Sequence, residues 1–385
     1  MAAPLPIAWL DGDFLPLVEA RISPLDRGFL FADAVYEVVP VYDGRPFLFV
    51  EHIARLERSL GEIRMQPPMS RPEWAALLSE LVARNGGGDM ALYVQVTRGA
   101  EDGRNHALNP TLRPTVFMMA TPLAPLDEAV RLHGVGAVTM ADERWGRCDI
   151  KSTALLANVL AKSRAADAGE TEAILLAGDQ LREGSSSSVL VVRAGVIHAP
   201  PYGPEILPGT TRELAIRLAA RAGIAVRVEP IPVAELRAAD EILLSFATRG
   251  VLPVTRLDGA AVGTGRPGPV WQTLFAGFEA YRGEVAGTPL LPTSVIPGSL
   301  QDSPLEFPAD HEIKVMGRYS PEFRARMDAV VMAELGPGAA DHVSERASGK
   351  STFVSLTYLV HVASRDDLER AYRALHATGL VVYAL

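Results

Sequence analysis

Five sets of residues have the types and spacing to do chemistry. Lys151 stands in RWGRCDIKSTALLANVL, between a possible strand end and an amphipathic helix. An amine held in a cleft, its proton affinity lowered by desolvation or positive neighbours, attacks a carbonyl carbon and forms a Schiff base. On an open surface the same residue is a solvated cation, and spacing alone leaves both readings open. Glu183, in LREGSSSSVLVV, reads either as a turn carboxylate ahead of a strand or as a buried anion. In the second case it would accept from a protonated ring nitrogen and strengthen the electron-sink character of a cofactor. The serines beside it could satisfy backbone groups or contact a polar ligand.

The segment GTTRELAIRL, from Gly209, offers a glycine, two hydroxyls and a helix start, whose free N–H groups and partial positive charge suit a phosphate. The plainer reading is a helix capped by Thr210 or Thr211. The P-loop string G-x-x-x-x-G-K-[ST] is absent, and neither a Rossmann nor a P-loop enzyme is expected. Arg104 and His106 lie in TRGAEDGRNHALNP, a polar turn after a strand. Facing one pocket they could bind a carboxylate, with arginine supplying a forked contact; otherwise they are solvated. Arg55, in EHIARLERSL, could anchor an oxyanion or be an exposed helical arginine. Cys148 is the one cysteine, which excludes an intrachain disulfide and disfavours a thiolate zinc site. His311, His342, His361 and His376 show no metal-binding pattern, and no metal is expected.

These residues need elements to hold them. The runs FLFADAVYEVVPVY, ALYVQVTRG and TVFMMATPL are strand-like, with helical signal near Glu51 to Leu60 and between Pro72 and Arg84. After Lys151, STALLANVLAKSRAADAG predicts a helix ending at Gly169. EAILLAG and SVLVVRAG follow as strands and TTRELAIRLAARAG as a helix. VRVEPIPV and EILLSFA are further strands, separated by a short acidic helix around Ala234 to Ala239. The pattern gives two α/β subdomains, about residues 1–125 and 126–283. A stretch rich in Gly, Pro, Ser and Thr, without helical period, predicts a linker over residues 284–304. Over 305–385, HEIKVMGR, PEFRARMDAVVMAEL, HVSERAS, TFVSLTYLVHVAS, RDDLERAYRALHA and LVVYAL follow the order βαββαβ. That order makes a four-stranded, ferredoxin-like sheet with two helices on one face.

The 385 residues are 48% hydrophobic and 22% charged, the composition of a soluble globular protein. The 37 basic and 46 acidic side chains give a formal net charge of −9, which disfavours a nucleic-acid partner. No apolar run approaches the roughly 18 to 20 residues that cross a bilayer. The opening MAAPLPIAWLDGDFLPL has no basic n-region of a signal peptide. A cytoplasmic protein without a membrane partner is expected.

Residues from about 7 to 280 resemble the class IV, fold-type IV aminotransferases that use pyridoxal 5′-phosphate, above all the D-amino acid transaminases. The strings that carry the likeness are DRGFLFADAVYEVVPVYDGRPF, EHIARLERS, VTRGAEDGRNHAL, RWGRCDIKSTALLANVLAK, EAIL, LREGSSSSV, LPGTTRE and VLPVTRLDG, in the family's order. The resemblance implies that Lys151 is the Schiff-base lysine and that Glu183 bonds the pyridine nitrogen. It implies that Arg55, Gly209, Thr210 and Thr211 hold the phosphate and that Tyr36 lines the substrate side. Arg104 and His106 would bind the α-carboxylate of a D-amino acid, reaching the site from the neighbouring subunit of a homodimer. The segment LLSFATRGV departs from the family at Phe246 and Ala247, where small or hydroxylated residues contact phosphate, with Thr248 able to compensate; Gly250 stands where an acidic residue is common.

The C-terminal region separately resembles the small YbeD-like bacterial domains, which look like regulatory ACT domains. There the stretches GRYS and ASGKS could make a polar surface for a ligand or a protein partner. The expected protein is a D-amino acid aminotransferase working between D-alanine or D-glutamate and 2-oxo acids. A branched-chain L-amino acid aminotransferase, an aminodeoxychorismate lyase, and a degenerate scaffold that binds a partner through its C-terminal domain are the alternatives.

Overall fold

The computed structural model describes residues 3–285, 308–318, 320–347, 353–378 and 380–384. These fall into two compact units, residues 3–68 with 81–285 and residues 69–80 with 308–384. Most of the expected linker, and most of GRYS and ASGKS as a ligand surface, lie outside the described residues and side chains. No helix among the described residues is long and apolar enough to cross a membrane.

The first unit opens with a hairpin, β1 (Ile7–Leu10) and β2 (Asp13–Pro16), and a one-turn helix, α1 (Arg27–Phe31). The long strand β3 (Ala34–Tyr42) and the short β4 (Arg45–Pro46) follow, then α2 (Phe49–Glu62), then α3 (Arg71–Arg84), whose residues 71–80 group with the second unit, then β5 (Met90–Thr97) and β6 (Thr115–Pro122). The strands form an antiparallel sheet in the order β2-β1-β6-β5-β3-β4. The strand expected from FLFADAVYEVVPVY begins only at Ala34. Before it, the Asp26 carboxylate caps the Gly28 N–H at 2.8 Å and turns DRGFLF into α1, which ends at Ala32 in the left-handed region (φ 54°).

The chain then enters a second sheet through α4 (Glu128–His133) and β7 (Val135–Ala141). It continues with α5 (Leu156–Asp167), β8 (Glu172–Ala177), β9 (Gln180–Gly184), β10 (Ser188–Arg193), β11 (Val196–Ala199) and α6 (Thr210–Arg221). The last elements are β12 (Val226–Val228), α7 (Val233–Arg237), β13 (Glu241–Phe246), β14 (Gly250–Leu257), β15 (Ala260–Ala261) and α8 (Pro269–Val285). The sheet order is β12-β11-β10-β13-β14-β7-β8-β9, with β15 on β14. Its central strands are near-continuous apolar runs such as β13, buried at every position, because both faces are covered. Contrary to the reading of LREG as a turn, Glu183 sits inside β9. The string GTGRPG at 263–268 satisfies G-x-G-x-x-G, the spacing of a dinucleotide fingerprint. The Glu241 carboxylate already accepts from the N–H groups of Val270 and Trp271, each at 2.9 Å, and fills the start of α8 where a pyrophosphate would sit.

The second unit contains β16 (Ala309–Arg318), α9 (Pro321–Leu335), β17 (Val343–Ala347), β18 (Phe353–Val362), α10 (Arg365–Ala377) and β19 (Val381–Ala384). The antiparallel order β17-β18-β16-β19 is the ferredoxin-like arrangement. Alternate residues Val354, Leu356, Tyr358, Val360 and Val362 face the helices and pack on Phe323, Met327, Leu368 and Tyr372.

Candidate active site

A cavity of about 750 Å³ in the first unit is lined by Tyr36, Arg55, Lys151, Glu183, Gly209, Thr210, Thr211 and Thr248, among others. One wall comes from β3. Its period of two turns Tyr36 and Val38 to the cavity and Glu37 to the opposite side, under α2. There His52 and Arg55, one turn apart, meet the Glu37 carboxylate: Arg55 donates Nε at 2.7 Å and Nη2 at 2.9 Å, and His52 Nδ1 lies at 2.8 Å. Burial pushes the Glu37 carboxyl up, but Arg55 and then His52 outweigh it and hold it well below the usual range. Burial drives the His52 imidazole down, against the opposing pull of Glu37. Arg55 also donates Nη1 to the Pro208 carbonyl at 2.9 Å, which fixes its guanidinium beside the start of α6.

Lys151 precedes α5 in a segment anchored to β3 by the Tyr36 N–H donating to the Lys151 carbonyl at 2.9 Å. Its own N–H donates to Ser59 Oγ at 3.2 Å, and its Nζ lies 4.2 Å from the centre of the Tyr36 ring. Glu183, also on the cavity wall, is 4% exposed. It accepts from Arg144 Nη1 and, more weakly, from the Leu207 N–H at 3.3 Å. Arg144 also donates Nε and Nη2 to Asp142, at 2.9 and 2.8 Å. Burial pushes the Glu183 carboxyl up to about 7 against the opposing pull of Arg144, the Leu207 N–H and Lys151. Burial also raises the nearby Cys148 thiol, to about 11, and its Sγ donates to the Trp145 carbonyl at 3.1 Å.

The start of α6 forms another side. The residue before it, Gly209, has no side chain to cap it, and a Cβ there would come within 2.5 Å of Ser188 Oγ. The expected threonine cap is not made. Thr210 Oγ1 faces His52 Nε2 at 3.4 Å and Thr211 Oγ1 donates to the Phe246 carbonyl at 3.1 Å. No side chain therefore caps the first N–H groups of α6, at the place where Arg55 is held. Ser185 and Ser186 donate their hydroxyls to Glu172, Ser186 at 2.7 Å, and Ser187 does so at 3.3 Å. The serines thus serve a buried carboxylate on β8.

Arg104 and His106 do not line this cavity. Both are exposed on the loop after β5 and gather around Phe31: the Arg104 guanidinium is 4.8 Å, and the His106 ring 5.0 Å, from the centre of the Phe31 ring. The loop is clamped from below by buried Arg27, whose Nη1 donates to Glu101 at 2.9 Å and to the Asn105 carbonyl at 2.6 Å, while Nε holds Asp33 at 2.9 Å. Sequence reasoning missed Glu37, His52, Arg144, Glu172 and Arg27. Glu37, His52 and Arg144 stand inside strings that were singled out for other residues. No group of three or more His, Cys, Asp or Glu side chains among the described residues is placed to hold a metal.

The profile of the family "Amino-transferase class IV" matches residues 34–257, and that of "Protein of unknown function (DUF493)" matches residues 302–385. The chain is 40% identical over 254 residues to D-alanine aminotransferase of Listeria innocua, covering 66% of this chain and 88% of that protein. Among solved structures, branched-chain amino acid aminotransferase of Escherichia coli aligns with a TM-score of 0.67 and 25% identity, over 72% of this chain and 94% of that one. A thermophile branched-chain amino acid aminotransferase, that of Thermoproteus uzoniensis with norvaline, aligns at 0.64 and 26%, over 73% and 94%. Another, complexed with N-(5′-phosphopyridoxyl)-L-glutamate, aligns at 0.65 and 28%, over 72% and 95%. The chain belongs to the class IV aminotransferase family, with a C-terminal DUF493 domain. Its cavity fits pyridoxal 5′-phosphate: its wall holds an amine, a buried carboxyl, and an uncapped helix start beside a fixed arginine. Lys151, Glu183, and Arg55 with Gly209, Thr210 and Thr211 would hold its aldehyde, ring nitrogen and phosphate in turn.

Proposed function

We propose that the first unit is a pyridoxal-phosphate-dependent aminotransferase that moves an amino group between D-amino acids, with D-alanine and D-glutamate as donors, and 2-oxo acids. The observation that carries the reading is that Lys151 and the buried Glu183 line one cavity. Bound there, the cofactor supplies an aldehyde for the substrate amine and a ring that takes up electrons from Cα. Lys151 Nζ would take the proton from the substrate's Cα as a general base and give it back, as an acid, on the cofactor side of the amine nitrogen. Glu183 holds a proton on the ring nitrogen, and Arg144 with Asp142 fixes the carboxylate that does so. Arg55 stays rigid because Glu37 occupies two of its donors.

Selection of the D-enantiomer rests on Arg104 and His106, delivered to the cavity of a second copy. Three features support that placement. The pair is exposed, it is held in a fixed posture by Phe31 and Arg27, and it lies off its own cavity. Leu156, Val159 and Leu160 on α5 are exposed beside the cavity, the kind of apolar surface that a second copy covers in a homodimer. The D-alanine aminotransferase relatives favour the D-specific reading over the branched-chain one that the aligned structures carry.

The test compares kcat/KM for D-alanine, D-glutamate and L-leucine in wild type, Lys151→Ala and Arg104→Leu. Lys151→Ala should lose turnover while keeping its circular dichroism. Arg104→Leu should cost D-alanine about 2 kcal/mol or more in transition-state terms, the loss expected for a desolvated carboxylate contact. Preference for L-leucine in the wild type would replace this reading with the branched-chain one.

A further inference from the structure

The cavity's charges do not balance on their own. Among the cations that line it, Arg55 has Glu37, Arg144 has Asp142 and Glu183, and Lys162 has Glu172 at 3.4 Å. Lys151, Arg212 and Arg249 have no ion-pair partner among the described residues. Arg212 is built into the wall: it is 1% exposed, donates to the Pro200 carbonyl and stacks 4.1 Å from the Tyr202 ring centre. Arg249 differs. It is exposed at the cavity wall, on the turn between β13 and β14, and its guanidinium lies 5.5 Å from the centre of the Phe246 ring. Lys162 Nζ lies 5.9 Å from the centre of the same ring, so two cations lie over Phe246.

Under the aminotransferase reading, on which this step rests, each anionic group of cofactor and substrate needs a receptor. The phosphate has Arg55 and the start of α6, and the α-carboxylate has Arg104 and His106. Arg249 is then a forked donor with nothing assigned to it, at a position where its charge is only partly screened by water. We propose that Arg249 is a specificity-determining residue that receives the distal carboxylate of dicarboxylic donors and oxo acids. It thereby favours five-carbon dicarboxylates such as D-glutamate and 2-oxoglutarate over monocarboxylates of similar length. The bulky Phe246 gives the methylene chain an apolar floor beside that charge.

The experiment uses the cofactor-loaded full chain and Arg249→Leu and Arg249→Lys. The ratio of kcat/KM for D-glutamate to that for D-alanine should fall about tenfold in Arg249→Leu, mainly through KM for D-glutamate, and less in Arg249→Lys. By calorimetry, wild type should bind glutarate about tenfold more tightly than butyrate, and Arg249→Leu should lose that preference. An unchanged ratio, or equal affinity of wild type for glutarate and butyrate, overturns the assignment. A parallel loss for both donors with weaker cofactor binding also overturns it, making Arg249 a phosphate contact. Wild type that prefers glutarate through Arg249 yet turns over neither D-donor would uphold the subsite and reject the reaction.

Discussion

Replacing Glu183 by Gln should stabilise the cofactor-free protein at alkaline pH while weakening its chemistry. Glu183 is 4% exposed, and the one strong donor it meets, Arg144, already gives two donors to Asp142. Ionising Glu183 therefore leaves two carboxylates around one guanidinium in a buried site. That is why burial wins and the carboxyl moves from an ordinary 4.5 up to about 7. A raised folded value means that the native state holds its proton more tightly than the unfolded chain does. Stability is then full below the ordinary carboxylate range and declines as pH climbs through about 7. The shift corresponds to about 3 kcal/mol once Glu183 is fully ionised. Gln has no such titration, so the stability gap between variant and wild type should widen in the variant's favour by about that amount between pH 5 and pH 9. A protonated ring nitrogen returns the missing positive charge, so the cofactor should close the gap for wild type and not for the variant. Urea denaturation of apo and loaded forms across this range reads both effects. Any constant offset from the changed contact with Arg144 drops out of the pH dependence. A gap that does not change with pH in the apo forms would refute the argument.

Glu37→Gln strands a buried guanidinium, so it should cost about 3 to 5 kcal/mol at neutral pH by urea denaturation. Because Glu37 is held below the usual carboxylate range, its contribution is present at neutral pH and is lost as pH falls through that lowered value; the variant should lack this acid sensitivity. Glu101→Gln leaves Arg27 paired with Asp33 but weakens the clamp on the loop after β5 by about 1 kcal/mol. Amide exchange across residues 101–113 should quicken about fivefold, and an unchanged rate would show that Arg27 does not hold the loop through Glu101.

What the sequence made legible follows the range of the interactions. Lys151, Glu183 and the start of α6 stand in short strings that each had a plain reading as well, and the resemblance to the class IV aminotransferases is what singled them out. The strands and helices of the second unit were legible directly, since their alternation and periodicity are written into adjacent residues. The supports of the site were not. Arg144 reaches Glu183 across 39 positions and Arg55 reaches Glu37 across 18, separations at which no local pattern marks a partner. The threonine cap failed likewise: a propensity for capping was overridden by hydroxyl partners 158 and 35 positions away.

The serine run ties these scales together. Read locally, four serines after a glutamate make a turn or a polar ligand surface. In the fold, the hydroxyls of Ser185, Ser186 and Ser187 converge on the buried carboxylate of Glu172, which also receives the Ala173 N–H at 2.9 Å and lies 3.4 Å from Lys162 Nζ. A buried carboxylate is tolerated only when donors surround it, so the turn must close in the one posture that supplies them. Gly184 is required for that closure, because a Cβ would meet Ser187 Oγ at 2.1 Å. The result fixes the backbone directly after Glu183 and aims its side chain into the cavity from β9. The residues nearest the acceptor in sequence thus act on the chemistry through a second carboxylate, by deciding where the first one points.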